Sequence, residues 1–186
     1  MRIAGDTDDL GLIAHPTASG GHVLIIPAWT PSVLGSGRGL DLLFPAEQLE
    51  QQRNGHRHWL EASEDDLEAW RIRRGGPPRF GVDFGEGTLP AEAKLDEFVD
   101  SSKGCFLGQE AVAKVANLGH PRGVFVGFSA PVKLAPGDPL FADGHESGRV
   151  TGVAPDDDRF AVLARIRWEA RGRSLETAAG DQLDPL

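Results

Sequence analysis

The sequence predicts an α+β fold: a half-domain of short strands and helices over residues 1–120, followed by a small antiparallel β-barrel over residues 121–186. Three observations predict it. The first part alternates short apolar runs with marked helix starts, which is an α+β order. The last third consists of short apolar strands and strong turns with no helical period, the pattern of a sheet that hides its edges by closing. Between them, Gly119-His120-Pro121 stops a helix and changes the texture of the chain.

Taken in order, residues 2–4 are too short to assign. Residues 10–15 and 22–27 read as apolar strands joined by the turn-rich stretch 16–21, as in a hairpin. Thr30-Pro31 resembles a helix start, but Gly35, Gly37 and Gly39 follow too closely for a long helix. Residues 40–44 are a strand, and Pro45 opens a short helix ending near Asn54-Gly55. Residues 58–62 suggest another short strand. Ser63, with Asp66 three positions later, caps a helix through Arg73 that sets Leu67, Trp70 and the aliphatic stem of Arg71 on one face. Its early acids, Glu64, Asp65 and Asp66, and its late Arg71, Arg73 and Arg74 match the polarity of the helix ends.

Residues 75–90 hold too many glycines and prolines for a regular element, and a loop of that length is expected to bind something or to cover something. Gln109 and Glu110 then open an amphipathic helix with Val112, Val115 and Leu118 on one face, closed by Gly119 as a left-handed cap and by Pro121. Strands are expected at 124–128, 140–141, 148–153, 160–168 and 174–177. The turns between them fall at Pro136-Gly137-Asp138, Asp143-Gly144 and residues 155–158, and residues 181–186 read as a polar tail.

Composition narrows the function classes. The chain has 186 residues, enough for one good core or two small ones, and its 40% hydrophobic and 25% charged content is ordinary for a globular protein. A formal charge of -9 argues against a broad nucleic-acid surface, although a local basic patch can survive on an acidic molecule. A single cysteine excludes an internal disulfide and suits a reducing compartment. There is no apolar run behind a basic start and no stretch near the roughly twenty apolar residues of a membrane span, so a cytoplasmic protein without a membrane segment is expected.

The stretch with the most chemistry is Lys103-Gly104-Cys105-Phe106-Leu107-Gly108-Gln109-Glu110. Cys105 lies before a helix N-terminus with Lys103 two residues upstream, and both a cation and unpaired amide N–H groups favour a thiolate. Against that stands the common use of a lone cysteine as a small buried hydrophobe. Gly104 and Gly108 allow tight turning, and Gln109 and Glu110 can cap the first helical turn. Elsewhere the bland readings prevail. His56 and His58 have no third ligand marked nearby, Asp156-Asp157-Asp158 lacks the ligand alternation of a calcium loop, and the glycines at 35–39 have neither phosphate-loop nor dinucleotide spacing. No Gly-x-Ser-x-Gly elbow occurs. His120 lies at the far end of the helix from Cys105, about 20 Å along the axis, which disfavours a nucleophile–base pair. A lone cysteine cannot hold an iron–sulfur cluster alone, so no metal or cluster is expected to be held by this chain by itself.

That stretch resembles the Lys-Gly-Cys-aromatic-x-Gly-Gln-Glu signature of the YgfZ group of folate-binding proteins, which are similar to the aminomethyltransferase (T-protein) of glycine cleavage. Ala113-Lys114 and Arg122 fit its continuation. The similarity extends over most of residues 39–186 and is strongest at 66–128. It implies an aminomethyltransferase-like half-domain before the barrel, a link to maintenance of iron–sulfur proteins and to transfer-RNA modification, and tetrahydrofolate as a cofactor. It further implies a working role for Cys105 and Lys103, with Gly104, Gly108, Gln109, Glu110, Arg71, Arg73 and Glu92 on the ligand side. One position departs from the pattern: Arg73 stands where the family often has an acid that accepts hydrogen bonds from the pterin. Guanidinium has donors only, so Arg73 is left with a folate glutamate tail to engage. The family also carries a longer N-terminal portion, so the chain is expected to be a shortened member, a fragment, or one half of a site completed by a second copy.

Three functions follow as expectations. The first is a non-enzymatic accessory protein that meets a client iron–sulfur protein or assembly factor through Cys105. The second is a folate-dependent aminomethyl or one-carbon transferase, and the third an interaction module with a structural cysteine.

Overall fold

The computed structural model describes residues 13–16, 22–27, 40–43, 45–55, 62–100 and 102–186. The chain divides into two compact units, Met1–Glu61 and Ala62–Leu186. The capped helix and the cysteine loop therefore group with the barrel, whereas the sequence suggests a division after residue 120. His56, His58, the glycines at 35–39, the helix-like start at Thr30-Pro31 and residues 58–61 of the expected fourth strand lie outside the described residues.

In the first unit, β1 (Ile13–Pro16), β2 (His22–Pro27) and β3 (Leu40–Leu43) form an antiparallel sheet in that order, with Ile13 opposite Ile25 and Leu24 opposite Leu43. The expected hairpin is present. Pro45 leads into one short turn of tight helix and then α1 (Leu49–Gly55), as proline at a helix start favours.

In the second unit, α2 (Glu64–Arg73) begins on a capping box. Ser63 Oγ accepts from the Asp66 amide at 3.1 Å, and Asp66 Oδ2 accepts from the Ser63 amide at 2.9 Å. The buried face differs from the expected one. Ala69 and Ile72 are buried while Leu67 is 56% exposed, because α2 lies on the barrel through its small and branched residues. Two glycines permit the approach: a Cβ at Gly127 would stand 2.9 Å from the Ile72 carbonyl oxygen, and one at Gly152 would stand 3.2 Å from both Glu68 Oε1 and Asp83 Oδ1.

The barrel contains β4 (Gly123–Ala130), β5 (Pro139–Ala142), β6 (His145–Asp156), β7 (Arg159–Arg167), β8 (Leu175–Glu176) and β9 (Gln182–Pro185), closed in the order β4-β7-β6-β5-β8-β9 with every pairing antiparallel. Its interior is packed by Phe128, Leu140, Val150, Val162, Ile166, Leu175 and Leu183, among others. Residues 161–164 of β7 are all buried. Val162 and Ala164 belong to the barrel core, while Ala161 and Leu163 pack with Ala69, Ile72 and Phe125 in a second cluster that includes the face of α2. A strand covered on both sides reads as a continuous apolar run for this reason.

The expected polar tail is corrected by the fold. Residues 182–185 form the closing strand, with Leu183 buried opposite Leu175, Ser129 opposite Asp184, and Arg159 clasping Ser129 Oγ and Asp184 Oδ2, each at 2.6 Å. Closure removes the two free edges that an open six-stranded sheet would leave.

Candidate functional site

The cysteine loop is held by its own short-range hydrogen bonds. Asp100 Oδ1 accepts from the Ser102 amide at 2.8 Å and the Ser102 hydroxyl at 2.7 Å. Those two bonds from Ser102, with the charge of Lys103 adding to them, keep the Asp100 carboxyl below the usual carboxylate range. Gly104 at φ 99° and Gly108 at φ 84° both take the left-handed conformation, and they bracket Cys105, Phe106 and Leu107. A side chain at either glycine would be strained whatever the room around it.

Beyond Gly108 comes α3 (Gln109–Leu118), ending on Gly119 at φ 92°, whose amide donates to the Val115 carbonyl at 3.0 Å. Gln109 ties the loop to the helix: its Oε1 accepts from the Phe106 amide at 3.1 Å, and its own amide donates to the Phe106 carbonyl at 3.2 Å. Gln109 thus pins the turn that precedes α3 and does not cap its first turn, where the N-cap residue Gly108 has no side chain and no side-chain cap bond is made.

Cys105 is exposed, and Leu107 beside it is fully exposed at 104%. The buried-hydrophobe reading of Cys105 is therefore set aside by its surroundings. Lys103 turns towards Phe106, its ammonium 5.7 Å from the ring centre, and its charge also acts on Asp100. Three residues separate Cys105 from the first residue of α3.

The loop borders a cleft of about 910 Å³. Leu89, Pro90, Phe106, Val112, Val115 and Trp168 supply apolar wall, while Asp96, Gln109, Glu110 and His120 supply polar groups. Its size and mixed lining are those of a small-molecule site. His120 stacks on Trp168 with ring centres 5.0 Å apart and 10° between planes, and its Nδ1 lies 3.1 Å from the Pro121 carbonyl oxygen. No protein-family model matches the chain, and no curated protein matches it. Its chemistry is thus read from its own residues.

Of the residues that the sequence singles out, Gly104, Gln109 and Glu110 line this cleft, and Cys105 sits between two of its wall residues, Gly104 and Phe106. Arg71, Arg73 and Glu92 do not line it and are engaged elsewhere. Arg71 makes a two-pronged contact with Glu68, at 2.9 Å from Nε and 2.6 Å from Nη2, and also reaches the Pro77 carbonyl at 2.6 Å and Asp83 Oδ2 at 3.1 Å. Burial would raise the Glu68 carboxyl, but the hydrogen bonds from Arg71 and the charges of Arg71 and Arg79 outweigh it and hold that group low. Arg73 pairs with Asp156 at 3.0 Å, and buried Glu92 accepts from Arg165 Nη2 at 2.9 Å. Arg71 thus joins α2 to the following loop, while Arg73 and Glu92 join α2 and that loop to the barrel.

Asp96 and Trp168 in the cleft were not marked by the sequence, which carries no local signal for them: one lies in a loop turn and the other at the end of β7, and only the fold brings them together. His120 lines the cleft but remains beyond α3 from Cys105. Among the described residues no cluster of three or more His, Cys, Asp or Glu side chains could hold a metal, and no helix is long and apolar enough to cross a membrane.

Proposed function

We propose that the chain is a YgfZ-type accessory protein of the cytoplasm, acting in the assembly or repair of iron–sulfur proteins by contact through its Cys105 loop. The observation that carries this reading is the exposed sulfur held between two left-handed glycines beside a fully exposed Leu107. Such a loop offers a thiol and an apolar anchor to a partner without unfolding anything. The half-buried Val112 and Val115 of α3 extend that surface into the cleft.

The test is affinity capture from the source cells with the wild-type chain and with Cys105→Ala. Enrichment of iron–sulfur proteins or their assembly factors by the wild type, lost on removing the sulfur, is the expected result. Equal capture by both chains sinks the reading.

A second reading, a tetrahydrofolate-dependent one-carbon transferase, is favoured by the cleft itself. Arg73 is committed to Asp156, but Glu110 and Asp96 place carboxylates in the cleft wall, and these can accept hydrogen bonds from a pterin while Phe106 packs on it. Titration with a reduced folate should then saturate and be weakened by Glu110→Gln. Absence of saturable binding excludes this reading and leaves the accessory role standing.

A further inference from the structure

The outer face of β6 and β7 carries arginines that neither the barrel core nor the cysteine loop uses. Arg149 on β6 stands directly opposite Arg165 on β7, and Arg167 follows about 7 Å further along the same face. Arg122 precedes Gly123, the residue of β4 that pairs with Arg167. Like charges directly opposite across an antiparallel pair are unfavourable, so such a cluster asks for anions. Two of the four are answered within the chain: Arg149 by Glu146 at 2.6 Å and Arg165 by Glu92 at 2.9 Å. Among the described residues no carboxylate is within ion-pair distance of Arg122 or Arg167, on a chain whose formal charge is -9.

All four arginines line one cleft of about 1000 Å³. Gly123 in its lining keeps that part of the wall flat, since a Cβ there would stand 2.9 Å from the Ile166 carbonyl oxygen and 3.6 Å from the Arg165 guanidinium carbon. Of the two acids in the same lining, Glu146 is paired with Arg149, and among the described residues Glu169 makes no ion pair with Arg122 or Arg167. His120 also lines this cleft. It is exposed, its ring parallel to Trp168, and the Arg171 guanidinium lies 4.1 Å from the centre of the Trp168 ring.

We propose that this cleft binds a nucleoside phosphate, either free or as a unit of a single strand. The guanidinium forks of Arg122 and Arg167 take the phosphate oxygens, the geometry for which arginine is suited. The base stacks on the outer face of His120, adding a layer to the His120–Trp168–Arg171 pile, as planar rings do on exposed aromatic side chains. An acidic peptide would satisfy the arginines but leave the stack unused.

The experiment is equilibrium titration of the full chain with fluorescent ADP and with a fluorescent oligouridylate, using tripolyphosphate and polyglutamate as competitors. Saturable binding is expected. Arg122→Gln or Arg167→Gln, both at exposed positions, should weaken it about tenfold, the loss of one charge-assisted pair, with an unchanged thermal midpoint. His120→Ala should weaken nucleotide binding while leaving displacement by tripolyphosphate unaltered. Binding of the free nucleotide alone or of the strand alone identifies the source, and either supports the proposal. Cys105→Ala should have no effect, which separates this site from the accessory reading. The proposal is overturned if neither probe saturates, if polyglutamate displaces the probe as well as nucleotide does, or if the arginine variants bind like the wild type.

Discussion

Two helices of ten residues each, α2 and α3, are put to opposite uses. The α2 sequence is acidic at one end and basic at the other with little segregation of apolar residues, yet Ala69 and Ile72 are buried against the barrel. The α3 sequence separates its faces cleanly, yet Val112 and Val115 are only half-buried and its other described side chains are exposed. The difference lies in what each helix meets. At α2 the barrel offers two bare glycine backbones, and an ion-pair network of Glu68, Arg71, Arg79 and Asp83 holds the helix to the loop that follows. At α3 the apolar face forms the wall of a cleft. An apolar stripe therefore reports that a face exists, and the shape of the opposing surface decides whether it is filled.

The strongest way to break this comparison is to strike the α2 contact. Ile72 is 1% exposed, and Ile72→Ala should lower the unfolding free energy of the barrel unit by about 2–5 kcal/mol. Gly127→Ala attacks the same contact from the other side by forcing a methyl towards the Ile72 carbonyl, and about 1–3 kcal/mol is expected. Denaturant titration checks both. A loss below about 0.5 kcal/mol for both variants would mean that α2 is not an integral part of the barrel.

This contact also marks where the sequence stops being legible. The start of α2 was readable because a capping box is local: Ser63 and Asp66 are three residues apart. Its buried face was not, because Leu67 and Trp70 outrank Ala69 in hydrophobicity, while it is Ala69 that is buried with Ile72 among Phe125, Ala154, Ala161 and Leu163 of the barrel. The barrel strands were readable from their turns. Strand β9 was not, since a lone Leu183 among polar residues gains its meaning only from Leu175 and β4 across the closure. The cysteine loop was readable from its glycines, whereas the cleft beside it needed Asp96 and Trp168, which are distant in sequence.

A smaller effect separates electrostatics from packing at α2. The Glu68 carboxyl is held low in the folded chain, so its stabilisation is fully present above its unfolded value of about 4.3 and is lost as pH falls through the lower folded value. Glu68→Gln should therefore cost about 1–3 kcal/mol near neutral pH, and the penalty should shrink as the medium is made acid enough to protonate the wild-type carboxyl. Unfolding curves of both chains across the acid range test this. A pH-independent gap would assign Glu68 a packing role alone.

The smallest stability effect is expected at α3, and there the comparison bears on function. Val112→Ser and Val115→Ser remove apolar surface that is only half-buried, so each should change the unfolding free energy by about 0.5 kcal/mol or less. The same substitutions place a hydroxyl in the cleft wall next to Phe106, on the surface continuous with the Cys105 loop. If that wall is where a partner or ligand seats, they should impair client capture or folate binding about as much as Cys105→Ala or Glu110→Gln does. Retained binding at reduced stability would place the contribution of α3 in folding instead. Loss of binding at unchanged stability is the outcome that an amphipathic helix kept half open for a second molecule requires.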